Sequence, residues 1–281
     1  MRTVDVADIT AAVAKMSMDA NYYLSEDILV ALKASEKKES SSLGKDILGK
    51  LIQNAGIARD EQMPICQDTG MAVFIVELGQ DVHITGGSFV DAINAGVAKG
   101  YTEGYLRKSV ASDPLFERKN TQDNTPAIIH IELVPGDQLK IMLSPKGFGS
   151  ENKSALKMLV PADGVAGVKK FILETVKKAG SNPCPPMVVG VGIGGTMEKA
   201  AYLSKKALFR PITRHNSDER YAKLEAELME LIHQLGLGPQ GLGGDTTALA
   251  VNVEYFPTHI AGLPVAVNIS CHATRHAEVV L

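Results

Sequence analysis

The chain of 281 residues is 45% apolar and 22% charged, the balance of an ordinary globular protein long enough for one large domain or two small ones. A formal net charge of −3 gives no basic footprint for nucleic acid or an anionic membrane, and no run reaches the roughly 18 apolar residues that a membrane span needs. Asp5 stands early where a signal peptide would be apolar, and three cysteines are too few and too odd for a disulfide framework, so the expectation is a cytoplasmic protein.

In chain order, residues 26–34 and 45–55 place Ile28, Leu29, Leu32 and then Ile47, Leu48, Leu51, Ile52 on single stripes and predict helices, with the short Ser40–Ser42 patch as the loop before the second. A loop carrying Cys66 follows. Residues 71–78 form a run rich in Val, Ile and Phe bounded by glycines, the pattern of a buried strand. Residues 88–99 predict a helix capped by Ser88. Runs 128–134 and 139–143 flank Pro135-Gly136-Asp137 and predict an antiparallel hairpin. Residues 164–178 repeat apolar side chains at helical spacing and stop at Gly180. A helix is expected over 197–209, and the strongest helical pattern spans 216–235. Two late apolar runs, 248–253 and 265–269, read as strands. The class is α/β (α+β), a mixed sheet flanked by helices in a single large domain over 1–281.

The cysteines share a setting. Cys66 lies in Pro64-Ile65-Cys66-Gln67-Asp68-Thr69-Gly70 ahead of a predicted strand. Cys184 lies in Asn182-Pro183-Cys184-Pro185-Pro186, whose prolines fix φ around the thiol. Cys271 ends an apolar run and enters Cys271-His272-Ala273-Thr274-Arg275-His276. Isolated cysteines are commonly small buried hydrophobes, yet none of these sits mid-way along an apolar helix face. If the three thiolates met, an iron–sulfur cubane would fit them; such a cluster normally takes four thiolates, and three leave one iron open to act as a Lewis acid on substrate oxygens. Zinc on Cys271 with His272 and His276 is the rival metal reading.

Gly190-Val191-Gly192-Ile193-Gly194-Gly195 formally matches GxGxxG, but no second strand ending in an acidic residue follows it, so nicotinamide binding is disfavoured. Bare glycines beside Pro183–Pro186 instead suggest close approach of the backbone to a bulky cofactor. Residues 146–154 and 241–247 are glycine-containing loops that read either as exposed turns or as backbone cradles for an anion. Taken singly, Arg107 reads as a surface cation and His259 as a structural histidine.

Together, the Cys66–Gly70 string, the Asn182–Pro186 loop running into Gly190–Gly195, the Gly236–Gly244 segment and the Cys271-His272-Ala273 ending resemble the class I fumarase and tartrate dehydratase family over nearly the whole chain. The resemblance implies an oxygen-sensitive iron–sulfur hydro-lyase with a [4Fe-4S] cluster on Cys66, Cys184 and Cys271. It implies that Gln67 and Asp68 line the substrate pocket, Asp68 bonding the substrate hydroxyl and sharing its proton transfer. It implies that Arg107 grips a carboxylate of a small dicarboxylate, that Gly149 offers a backbone contact, and that His259 is a pocket histidine in the catalytic set. Loops 146–152 and 243–247 are similar to the fumarase versions, so the expected reaction is trans hydration of fumarate to L-malate, as in the tricarboxylic acid cycle. An L(+)-tartrate dehydratase α subunit and a non-catalytic iron–sulfur sensor are the alternatives. Single-chain members continue beyond the position of Cys271 into a second domain, so a separate β subunit, in an α2β2 assembly, is expected to bring the base.

Overall fold

The computed structural model describes residues 2–281. Its elements are β1 (Arg2–Asp5), α1 (Val6–Tyr22), α2 (Glu26–Lys38), α3 (Ser42–Asp60), β2 (Met71–Gly79), β3 (Val82–Thr85), α4 (Phe89–Glu103), β4 (Ile128–Val134), β5 (Leu139–Lys146), α5 (Phe148–Glu151), β6 (Ala155–Leu159), α6 (Gly164–Ala179), β7 (Met187–Gly194), α7 (Met197–Ala207), α8 (Glu219–His233), β8 (Ala248–Phe256), β9 (Leu263–Ser270) and β10 (Ala277–Val280). The fold is α/β with mixed sheets, as the sequence predicts, and its contacts resolve two compact units. One holds the chain up to Ser25 with Ala55–Phe148 and Arg275–Leu281; the other holds Glu26–Asn54 and Gly149–Thr274.

In the first unit β2 is the strand with most to bury. Ala72, Phe74 and Val76 on one face and Ile75 on the other are fully enclosed, and β2 pairs along both edges. The sheet order is β10-β5-β2-β4, with β5 antiparallel to β2 and β4 parallel to it. The expected hairpin therefore does not form. Its two arms straddle β2, whose end slots between them: Gly79 N donates to Gln138 O and Gln80 N to Val134 O, each at 2.9 Å. The half-exposed pattern of β4, with Ile131 and Leu133 in solvent, suits an edge better than the centre. Ile9, Val13 and Met16 of α1 and Ile93 and Val97 of α4 share one apolar core with Phe74, Val76, Ile141 and Leu143, each such side chain contributing about 1.5–3 kcal/mol on burial. Ser88 caps α4 as predicted, its side chain accepting Asp91 N at 3.3 Å.

In the second unit the sheet order is β6-β9-β7-β8, with β7 parallel to β8 and antiparallel to β9. Met187, Val189, Val191 and Ile193 of β7 share a core with Val168, Ile172 and Val176 of α6 and with Leu228 and Ile232 of α8. The alternate positions Gly190 and Gly192 meet α7. A Cβ on Gly190 would stand 2.2 Å from Ser204 O, and one on Gly192 2.1 Å from Ala200 O. These glycines thus admit a helix backbone against the strand; the cofactor approach expected from the sequence is not their use. The helix expected over 216–235 is shorter, because Asp218 caps α8 by accepting Arg220 N at 2.9 Å while Asn216 Oδ1 accepts Asp218 N at 2.9 Å. Among the described residues no helix is long and apolar enough to cross a membrane.

Candidate functional site

The residues singled out by the sequence divide between the units: Cys66, Gln67, Asp68 and Arg107 in the first, Gly149, Cys184, His259 and Cys271 in the second. In the first, the Cys66 loop hangs between the end of α1 and the start of β2. Ile65 N donates to Asn21 O at 2.9 Å. Arg275 bridges Asn21 Oδ1 (2.9 Å) and the backbone oxygen of Asp68 (2.8 Å). Tyr101 Oη donates to Thr69 O at 2.8 Å, and Asn124 Nδ2 donates to Gly70 O at 3.1 Å. Asn21, Tyr101, Asn124 and Arg275 are all buried, so water does not compete for these bonds. Burial pushes the Tyr101 phenol above its usual range, against the pull of Arg275 and Asn21, and keeps it a donor. Gly70 closes the loop at φ 75°, where a Cβ would stand 2.7 Å from Lys146 N; glycine meets both demands.

That frame presents three groups. Cys66 is half-buried, its Sγ 3.4 Å from Oε1 of the exposed Gln67. The half-buried Asp68 carboxylate accepts Gly70 N (3.0 Å) on Oδ1 and Phe148 N (2.9 Å) on Oδ2, which fixes its orientation. The Phe148 N–H, read from the sequence as part of an anion cradle, is thus directed to Asp68. Thr69 Oγ1 donates to the backbone oxygen of Arg107 at 3.0 Å, which brings Arg107 beside the loop. The Arg107 side chain is exposed, and its guanidinium makes no hydrogen bond or ion pair among the described residues.

In the second unit Cys184 precedes β7 and Cys271 follows β9. Val188 pairs with Ser270, so both thiols lie at one end of this sheet. Cys184 is exposed and held at φ 54°, a left-handed conformation unusual for a residue with a side chain. Its N–H donates to Ser181 O at 3.0 Å, and its oxygen lies 3.3 Å from His272 N and 3.0 Å from His272 Nδ1. Cys271 is half-buried and its oxygen accepts Thr274 Oγ1 at 2.7 Å. Gly149 sits against the same loop, with space for a Cβ only 3.5 Å from Asn182 O. The neighbouring Glu151 pins its segment, pairing with Lys205 at 2.5 Å and accepting Asn268 Nδ2 at 3.1 Å.

His259 does not join this group. It follows Thr258, whose Oγ1 donates to Gly195 O at 2.8 Å, at the far end of β7. The length of β7 puts roughly 23 Å between that end and the cysteine end, at about 3.3 Å per residue.

Two residues that the sequence reading passed over organise the cysteine end. Gln240 donates to Pro185 O through its N–H (2.7 Å) and its Nε2 (2.9 Å), and the same Nε2 lies 3.2 Å from His272 Nδ1. Glu39, buried, accepts Ser41 N (3.2 Å), Asp245 N (2.8 Å) and Thr246 N (2.9 Å), anchoring the far side of the glycine-rich loop that carries Gln240. Burial alone would raise the Glu39 pKa; the backbone N–H groups of Asp245, Ser41 and Thr246 outweigh it and hold the carboxyl below its ordinary range. Glu39 sits in a charged run ahead of the serine patch, where nothing in the sequence marks it, and nothing but its glycine neighbours marks Gln240.

All three cysteines are thiols on loops or strand ends rather than in the apolar cores. Among the described residues no three His, Cys, Asp or Glu side chains gather as a single metal ion requires. A cubane asks less of them, since each thiolate binds a different iron. Cys184 and Cys271, at one end of one sheet, are thiol donors of the kind such a cluster takes.

The sequence matches the family model described as "Fumarate hydratase (Fumerase)" over residues 10–280. It is 43% identical over 273 residues to a Methanocaldococcus jannaschii protein named "Putative L(+)-tartrate dehydratase subunit alpha", covering 96% of each chain. It is 33% identical over 274 residues to the "L(+)-tartrate dehydratase subunit alpha" of Escherichia coli strain UTI89, covering 96% of this chain and 89% of that one.

Proposed function

The chain belongs to the fumarate hydratase (Fumerase) family of hydro-lyases, and from that premise we propose that it is the cluster-bearing α subunit of an iron–sulfur enzyme that removes water from, or adds it to, a four-carbon dicarboxylate. The observation that carries the reading is the pair of thiols at one end of a single sheet, with the Cys271–His272 turn bonded to the Cys184 backbone. Cys66, Cys184 and Cys271 would hold a [4Fe-4S] cluster. When bound, the cluster supplies an iron without a protein thiolate, a Lewis acid for substrate carboxylate and hydroxyl oxygens.

The remaining chemistry falls to this chain's side chains and to a partner. Arg107, exposed and uncommitted, grips a substrate carboxylate through two parallel charge-assisted bonds. Asp68, held by two backbone N–H groups, bonds the substrate hydroxyl and handles its proton. Gln67 adds a polar contact and Gly149 a backbone one. In dehydration the hydroxyl leaves C2 and a proton leaves C3, together one water, as the C2–C3 double bond forms. The base for C3 is assigned to a separate β subunit, a reading supported by the naming of the relatives as α subunits. His259, at the other end of the sheet, has no part in this scheme.

For the substrate, the names of the relatives favour L(+)-tartrate, whose dehydration gives oxaloacetate. Fumarate is the second reading, favoured by the family description and by the fumarase-like loops 146–152 and 243–247. Anaerobic assay of the αβ complex on L(+)-tartrate, L-malate and fumarate side by side tests both. Turnover of one of them supports the class and chooses the substrate; turnover of none, with the cluster intact, refutes the class.

A further inference from the structure

Cys184 stands on an exposed loop in a conformation that a side-chain-bearing residue adopts at a cost, so something must hold it there. The prolines fix the neighbouring φ angles. A link to the Cys271 turn comes from a third segment. Gln240 reaches from the glycine-rich loop and places two donors, its own N–H and Nε2, on the oxygen of Pro185, the residue directly after Cys184. Pro185 O can only accept, so the amide is oriented with nitrogen inward. The same nitrogen lies 3.2 Å from Nδ1 of His272, the residue directly after Cys271. With nitrogen facing it, Nδ1 accepts, and the link from His272 to the oxygen of Cys184 is its backbone N–H, at 3.3 Å. Gln240 thus touches the segments of both cysteines, and it too sits at positive φ, 55°.

The loop behind Gln240 is built to resist movement. A Cβ on Gly241 would stand 2.3 Å from Ser181 Cβ, so this turn lies flush on the Cys184 loop. Gly243 N donates to Leu237 O at 2.8 Å, and buried Glu39 fixes the following residues. A rigid support of this kind is what a thiol needs if its direction is to be set before any ligand arrives.

We propose that Gln240 is a positioning residue for the cluster ligands: its carboxamide ties the Cys184 loop to the Cys271 turn and sets the direction of the two thiols. The proposal rests on the cluster reading above for its purpose, but its geometry can be tested without the cluster. Gln240→Gly removes the carboxamide while easing the positive φ, and Gln240→Glu keeps length and bulk but turns an acceptor toward Pro185 O.

The experiment measures, anaerobically and in full-length apo chain, the rate at which iodoacetamide alkylates each cysteine, with Cys66 as internal reference. It then reconstitutes each protein with ferrous iron and sulfide and follows cluster loss to a chelator. Both variants are expected to alkylate Cys184 about tenfold faster than wild type, roughly the effect of losing one or two neutral hydrogen bonds, with Cys66 unchanged and circular dichroism native. Their clusters are expected to be lost about tenfold faster. Rescue by Gln240→Glu to wild-type rates would show that only bulk matters and would overturn the proposal, as would unchanged Cys184 rates in both variants. If wild type takes up no cluster, the functional reading falls while the alkylation rates still decide the role of Gln240.

Discussion

The Glu39 carboxylate accepts the backbone N–H of Asp245 at 2.8 Å across 206 residues of sequence, and Thr246 N at 2.9 Å beside it. Each bond to a buried charge is worth about 1.5–3 kcal/mol, so this contact fixes the loop that supports the Cys184 segment. Glu39→Gln should lower stability by about 2 kcal/mol, measured by denaturant unfolding. The folded carboxyl titrates below its ordinary value of 4.5, so its contribution is complete above that value and is lost as pH falls through the lower folded one. The difference in Tm between wild type and Glu39→Gln should therefore be constant near neutrality and shrink only below pH 4.5; a difference that shrinks between pH 6 and 8 would contradict the assignment.

Gly192 tests the use of the glycine-rich strand. With Ala200 O 2.1 Å from a would-be Cβ, Gly192→Ala must push α7 off β7 and should cost about 3 kcal/mol or prevent folding. Were the glycines there to admit a cofactor, the apo protein would keep its stability, so a thermal melt of apo Gly192→Ala separates the two.

At Gly70 the strain and the crowding coincide, since φ is 75° and Lys146 N lies 2.7 Å from a Cβ. Gly70→Ala should destabilise by about 3 kcal/mol. Because Tyr101 and Asn124 bond this same turn, the loop presenting Cys66 and Asp68 should loosen before the rest of its unit. Hydrogen exchange should show protection lost first at residues 65–70; uniform loss across the unit would argue that the turn has no local role.

How much of this was legible beforehand depended on whether the signal was local. Ser88, Gly180 and the apolar run 71–78 act through their own neighbours, and the structure has the cap, the stop and the strand where the sequence predicts them. Pairing was harder: Pro135-Gly136 marks a turn, but the sequence of the turn does not reveal that β2 lies between its arms. The segment 6–22 was passed over because its stripe is rich in Ala, Met and Ser rather than Leu and Ile, and the short strands β1, β3, β6 and β10 carry too few residues to show a period. At the site, the cysteine loops and Asp68 stood out by composition. Glu39, Gln240, Tyr101 and Arg275 did not, because their partners are backbone groups far away in sequence.

Arg107 separates binding from stability. Its guanidinium is exposed and makes no bond among the described residues, so Arg107→Ala should change stability by less than about 0.5 kcal/mol. If it grips a carboxylate, the same change should lower kcat/KM of the assembled enzyme about 100-fold, the cost of losing a charge-assisted pair of about 2.7 kcal/mol, and leave the cluster absorption spectrum unaltered. An unchanged kcat/KM would remove Arg107 from the site.

The most direct measurement is Mössbauer spectroscopy of the anaerobically reconstituted chain in complex with the proposed β subunit, with and without L(+)-tartrate or L-malate. The account predicts one [4Fe-4S] cluster per α chain, lost when Cys66, Cys184 or Cys271 is replaced by serine, with a single iron subsite shifting when substrate is added. A cluster that survives those replacements, or one whose irons all ignore both substrates, would contradict it.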